Sequence, residues 1–214
     1  MTIDKPISNR GDMSAFAESF PHEDFFMQQA RKNGAEIGAP DPTIGVGGFI
    51  NFVAGLISAK SIVEIGTGSG VSGLWIFNGA PKDATFTSID SEREHSASAK
   101  EILEEAGVSA QRFRLITGNI VEVVGKLADS NYDLMIVRSP IDMVDVVQES
   151  YRLLKPNGVL IIDNALDGGK VADPTQRDFE TIARRDSIKA IKEDSRWSSS
   201  LIPIGGGALL ARKI

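Results

Sequence analysis

No cysteine occurs among the 214 residues, which excludes disulfides, thiolate metal sites and a thiol nucleophile, and fits a reducing cytosol. Histidine is scarce: only His22 and His95 are present, far apart in predicted helices, and each reads as a surface residue rather than a base. No run of about 18 apolar residues occurs, and "MTIDKPISNRGDMSAF" has no apolar core of a signal peptide. A membrane partner is therefore not expected, and the expected location is the cytoplasm. Basic charge is in deficit, with 23 Lys+Arg against 29 Asp+Glu, a net charge of -6. Such a chain repels phosphates, and its basic residues are scattered apart from short pairs such as Arg184-Arg185 and Arg212-Lys213, so nucleic acid is not expected as a partner.

What is present is an ordinary globular composition, 42% hydrophobic and 24% charged, long enough to bury a core. Helical periodicity is predicted over 13–19 and 23–33, the second closed by Gly34, and over 43–59. Residues 1–35 form a helical extension and 36–214 the main domain. Strands are predicted at 61–65, 85–89, 113–116, 134–137 and 159–162, with helices over 70–78, 92–106, 119–128 and 142–154 between them. That alternation predicts an α/β fold, a parallel sheet covered by helices on both faces. "SSSLIPIGGGALLARKI" breaks the rhythm and reads as an antiparallel hairpin.

The ligand question centres on "SIVEIGTGSGVSGLW". From Gly68 to Gly73 the run fits G-x-G-x-x-G, with Asp90 twenty residues past Gly70, as a dinucleotide site requires. If the strand ends at Ile65, however, Gly66 makes the turn and that motif starts too late. Glu64 then lies at the carboxyl end of the first strand, where open α/β sheets bind ligands. A carboxylate there repels a pyrophosphate and attracts an ammonium or sulfonium. S-adenosylmethionine carries both cations and no phosphate. Asp90 can accept hydrogen bonds from its ribose, and Gly118, Asn119 and Ile120 offer an edge for adenine. The reading is of a sulfonium-nucleoside site.

From residue 36 onward the chain resembles the bacterial S-adenosylmethionine-dependent O-methyltransferases related to catechol and caffeoyl-CoA O-methyltransferases. "VEIGTGSGVSGLW" is similar to their cofactor loop and "TSIDSEREH" to their ribose segment. "YDLMIVRSP" falls at their fourth strand, "YRLLKPNGVLIIDNALDGGKVADP" at their fifth, and "LIPIGGGALLARKI" at their final hairpin. The resemblance implies a Rossmann-like class I methyltransferase with a seven-stranded sheet, a small-molecule acceptor and a homodimer. It implies cofactor contacts at Thr43, Glu64, Gly66, Thr67, Gly68, Ser72, Asp90, Ser91 and Asn119. Ser72, in the first turn of a helix, suits the methionine carboxylate.

The catalytic half departs from the family's pattern. Asp163 and Asn164 match its metal-binding pair, but Arg138 stands where an aspartate ligand is usual and Ile141 where a lysine base is usual. Magnesium seeks about six oxygens, and a guanidinium beside two protein oxygens makes a poor cage. The expectation is that Arg138 pairs with Asp163 through two parallel hydrogen bonds and that no metal binds strongly. The catalytic candidates are thus Arg138, Asp142, Asp163 and Asn164, with Asp142 or Asp163 as base. Three outcomes follow: metal-free methyl transfer, recruitment of an acidic acceptor by Arg138, or cofactor binding without transfer.

Among the aromatics, Phe16, Phe20, Phe25 and Phe26, with Met27, are expected to pack the N-terminal helices on the domain or on a second subunit. Trp75 and Phe77 read as core, and Trp197 as lining an acceptor pocket or a dimer interface. The segment 163–178 reads equally as a lid or a plain connection.

Overall fold

A computed structural model describes residues 10–139 and 143–214. Three helices come first: α1 (Arg10–Ser19), α2 (Phe25–Ile37) and α3 (Ile44–Leu56). Strands and helices then alternate through β1 (Ser61–Ile65), α4 (Val71–Gly79), β2 (Thr85–Asp90), α5 (Arg93–Glu105) and β3 (Phe113–Thr117). They continue as α6 (Ile120–Val124), β4 (Tyr132–Val137), α7 (Met143–Leu153) and β5 (Leu154–Ile162). A 3-10 segment (Asp167–Ala172), α8 (Phe179–Glu193), β6 (Trp197–Ile202) and β7 (Ala208–Lys213) complete the chain.

The seven strands form one sheet in the order β3-β2-β1-β4-β5-β7-β6. The first five run parallel, and β7 pairs antiparallel with both β5 and β6. Period-2 alternation sends side chains to two cores. Val63, Ile65, Met135, Val137, Leu160 and Ile162 pack beneath α6, α7 and α8. Ile62, Phe86, Leu134, Ile136 and Ile161 pack against α3 and α4. A third cluster joins Met27 and Ala30 of α2 to Leu74, Trp75, Ile102 and Leu103. The strand order reverses between β1 and β4, the topological switch point at which such sheets bind ligands.

Gly34 does not close α2. It lies inside the helix, and Gly38, left-handed at φ 67°, forms the cap by donating its N–H to the Gly34 carbonyl. β5 extends back through Lys155-Pro156-Asn157-Gly158, the register with β4 shifting between Tyr132 and Leu134 to absorb the interruption.

Candidate functional site

The carboxyl ends of β1, β2, β4 and β5 bring Glu64, Asp90, Arg138 and Asp163 to one edge. The sheet ladder continues past β4, where the Arg138 N–H donates to the Ile65 carbonyl at 2.8 Å. It continues past β5 as well, where the Asp163 N–H donates to the Val137 carbonyl at 2.9 Å. Backbone pairing thus fixes the roots of both side chains.

Helix α4 begins at Val71, with Gly70 as N-cap, so Gly73 of the G-x-G-x-x-G run lies within the helix. The turn after β1 is made by Gly66 at φ 96° and Gly68 at φ 57°. A Cβ on Gly66 would stand 3.0 Å from the Ser139 nitrogen, so backbone approaches backbone here as only glycine allows.

Glu64 is fully buried. Its Oε2 accepts a hydrogen bond from Ser88 Oγ at 3.0 Å, and Ser88 shares a second, 2.7 Å, with Thr67 Oγ1. Oε1 has no hydrogen-bond partner. Burial pushes the Glu64 carboxyl up to about 7, while Arg138 and then the nearby hydroxyls pull it down. Asp90 accepts from the Gly68 and Glu92 N–H groups at 3.1 and 2.9 Å. His95 Nδ1 lies 3.3 Å from both of its oxygens.

Arg138 is the centre of the arrangement, its side chain 3% exposed. Nη1 donates to the Gly66 carbonyl and to Ser72 Oγ, each at 3.2 Å, and stands 3.7 Å from Glu64 Oε1. Nη2 donates to the Pro40 carbonyl. Nε lies 3.6 Å from Asp163 Oδ2 and makes no hydrogen bond. The expected pair of parallel bonds to Asp163 is therefore not formed, because the fork of the guanidinium is turned towards Gly66, Ser72 and Pro40. Burial pushes the Asp163 carboxyl above its usual range, opposed by Arg138.

Two cavities meet at this arginine. One, of about 160 Å³, is lined by Gly66, Gly68, Asp90, Ser91, His95 and Ile120. The other, of about 310 Å³, is lined by Asp41, Thr43, Asp163, Asn164, Asp167 and Arg184. Pro40 and Arg138 line both.

The remaining candidates divide. Ser91 and Ile120 face the first cavity; Thr43 caps α3 and faces the second. Asn119 uses its side-chain oxygen to cap α6, accepting from the Glu122 N–H at 3.0 Å. The Gly118 N–H donates to the Asp90 carbonyl. Asp142 and Ile141 lie outside the described residues. His95 is no surface residue: it is held against Asp90, because α5 starts one turn beyond β2. Trp197 is buried, packs edge-on against Tyr151 at 5.5 Å and lines a separate cavity with Tyr151, Ile191 and Arg196, apart from the two at Arg138. The segment after β5 is pinned, Arg185 donating to the carbonyls of Lys170, Val171 and Gln176.

Two acids escaped the sequence reading. Asp41 accepts from Ser69 N–H and Oγ, fastening the α2–α3 loop to the glycine turn. Its place between two prolines was the available signal. Glu18 of α1 accepts from the N–H groups of Gly45 and Gly205, a contact across 187 positions with no local signature.

The O-methyltransferase family matches residues 17–214. The chain belongs to it. A Mycobacterium marinum protein named as an O-methyltransferase is 41% identical, the match covering 98% of this chain and 95% of that one. A Corynebacterium glutamicum crystal structure is 30% identical with a TM-score of 0.86, over 94% and 95% of the two chains. The O-methyltransferase TomG of Streptomyces achromogenes, involved in tomaymycin synthesis and solved with S-adenosylmethionine, is 26% identical at a TM-score of 0.83, over 94% and 96%. In this O-methyltransferase the glycine turn follows the reading in which the strand ends at Ile65, with Glu64 the last residue but one of β1 and Gly66 turning.

Proposed function

We propose that this O-methyltransferase transfers the methyl group of S-adenosylmethionine to an oxygen of a small molecule and does so without a divalent cation. S-adenosylmethionine is the cofactor, and the residues present fit it. Glu64 is a buried carboxyl whose Oε1 accepts no hydrogen bond and has Arg138 Nη1 3.7 Å away, an acceptor that suits an ammonium. The Gly66 turn admits close backbone approach. Asp90 and Ser91 line the neighbouring cavity, where ribose hydroxyls would be held, and Ile120 offers the adenine an apolar wall. When bound, the cofactor supplies an electrophilic methyl on a sulfonium.

The observation that carries the metal-free reading is the buried Arg138 guanidinium, 3.6 Å from Asp163. It places a positive charge on the wall of the cavity that Asp163 and Asn164 also line, where a cation would otherwise be held. Asp163, a carboxylate lining that cavity, serves as base: it takes the acceptor hydroxyl's proton as the oxygen lone pair bonds to the methyl carbon and the carbon–sulfur bond breaks. Holding acceptor oxygen and methyl in line contributes roughly 7–11 kcal/mol of barrier lowering, with no metal required.

The test is turnover and cofactor affinity with and without chelator. Both are expected to be unchanged by EDTA, and Arg138→Asp is expected to create a measurable Mn²⁺ site. Strong dependence of the unaltered enzyme on Mg²⁺ or Mn²⁺ would refute the reading. The enzyme is further proposed to be a homodimer, a reading supported by outward-facing aromatics on its first helices.

A further inference from the structure

We propose that Arg138 is an internal competitor of the cofactor: its guanidinium takes the ammonium's hydrogen-bond acceptors and must swing to Asp163 for the cofactor to bind. The inference rests on the cofactor placement proposed above and concerns how that site is filled.

The acceptors that suit a primary ammonium at the glycine turn are the Gly66 carbonyl and Glu64 Oε1, while Ser72 Oγ stands beside them for the methionine carboxylate. Arg138 Nη1 donates to the Gly66 carbonyl and to Ser72 Oγ at 3.2 Å and stands 3.7 Å from Glu64 Oε1. One nitrogen therefore claims the whole set. A second cation cannot join it, since two like charges a few Å apart in a buried site repel strongly. S-adenosylmethionine carries a net positive charge, its ammonium and sulfonium together outweighing its carboxylate, so coexistence is disfavoured.

The same side chain divides the cleft. Its Nη2 is bonded to the Pro40 carbonyl, and Pro40 with Arg138 separates cavities of about 160 and 310 Å³. Pockets for ligands of this size run from about 300 to 1,000 Å³. The first cavity is too small while the bridge stands; withdrawing the guanidinium joins the two. A destination is already prepared. Nε is buried, bonded to nothing, and 3.6 Å from Asp163 Oδ2. Rotation of the side chain towards Asp163 exchanges three contacts at the glycine turn for a direct hydrogen-bonded ion pair. It also brings the cation into direct contact with Asp163 only when the cofactor is in place. Cofactor then binds before acceptor.

The test is calorimetry on Arg138→Met, which keeps length and removes charge. S-adenosylmethionine is expected to bind about tenfold more tightly, whereas adenosine, which has no ammonium, is expected to bind unchanged. Weaker or equal S-adenosylmethionine binding would overturn the proposal, as would equal tightening of adenosine, which marks a general structural change. Ser72→Ala separates the two levels of the argument. Its weakening of S-adenosylmethionine supports the placement, so that failure of Arg138→Met then counts against the competitor alone. Unaltered affinity in Ser72→Ala removes the placement and the competitor together. Should Arg138→Met not fold, a crystal of the unaltered enzyme with S-adenosylhomocysteine decides. The guanidinium is expected on Asp163; retention on Gly66 and Ser72 beside a bound cofactor would overturn the proposal.

Discussion

Glu64 shows how much a single buried carboxyl governs. Its ordinary value is 4.5 and burial takes it to about 7. A carboxyl raised on folding contributes fully to stability below its unfolded value, and the contribution is lost as pH climbs through the folded one. Across pH 4.5 to 7 the loss is about 3 kcal/mol. Asp163, also raised, acts in the same direction. Asp133, Asp173 and Asp178, which are lowered, lose their contribution only at more acid pH and do not offset it. Urea unfolding at pH 5 and pH 8 should therefore show the enzyme losing stability as pH rises, and Glu64→Gln losing markedly less. Equal losses would show that Glu64 does not carry the effect. Glu64 was legible in the sequence because an acid inside an apolar strand needs a reason. The partners of Arg138 were not legible. A long flexible side chain reaches Gly66, Ser72 and Pro40, up to 98 positions away, and chain order says nothing about which it prefers.

At the scale of elements, α3 and α4 approach each other closely. A Cβ built on Gly47 would meet Trp75 Nε1 at 2.2 Å, and Trp75 is buried in the cluster that also holds α2. The ring has nowhere to retreat. Gly47→Ala is expected to cost about 1–3 kcal/mol, read as a lowered thermal midpoint, although alanine is the better helix former. An unchanged or raised midpoint would show that the two helices can part. The glycines of "PTIGVGG" lowered the helix propensity of this stretch; the structure shows that they permit close packing there. The five parallel strands and most helices could be placed from periodicity, since alternation along strands reflects two separate cores. The end of α2 could not. Both Gly34 and Gly38 satisfy the cap pattern, and only packing distinguishes them: Gly34 is buried within the helix, and Gly38 adopts the left-handed turn.

For the molecule as a whole, the first helices present an apolar face that its own core does not cover. Met13 and Phe16 of α1, with Phe20 just beyond it, are 58%, 72% and 79% exposed, at helical spacing along one side. A ten-residue helix is not stable alone in water. This one is held by Glu18, whose carboxylate accepts from the amides of Gly45 and Gly205, which fixes its orientation and leaves the aromatic side outward. Three such side chains together make a patch that a soluble surface rarely leaves uncovered. The proposed homodimer would bury it. Sedimentation of the enzyme should then give twice the chain mass of 23.0 kDa, and Phe16→Glu with Phe20→Glu should give the single chain. The double variant should keep its S-adenosylmethionine affinity, because neither residue lines the cavities at Arg138. A monomeric parent, or a dimer indifferent to both charges, would place the contact elsewhere.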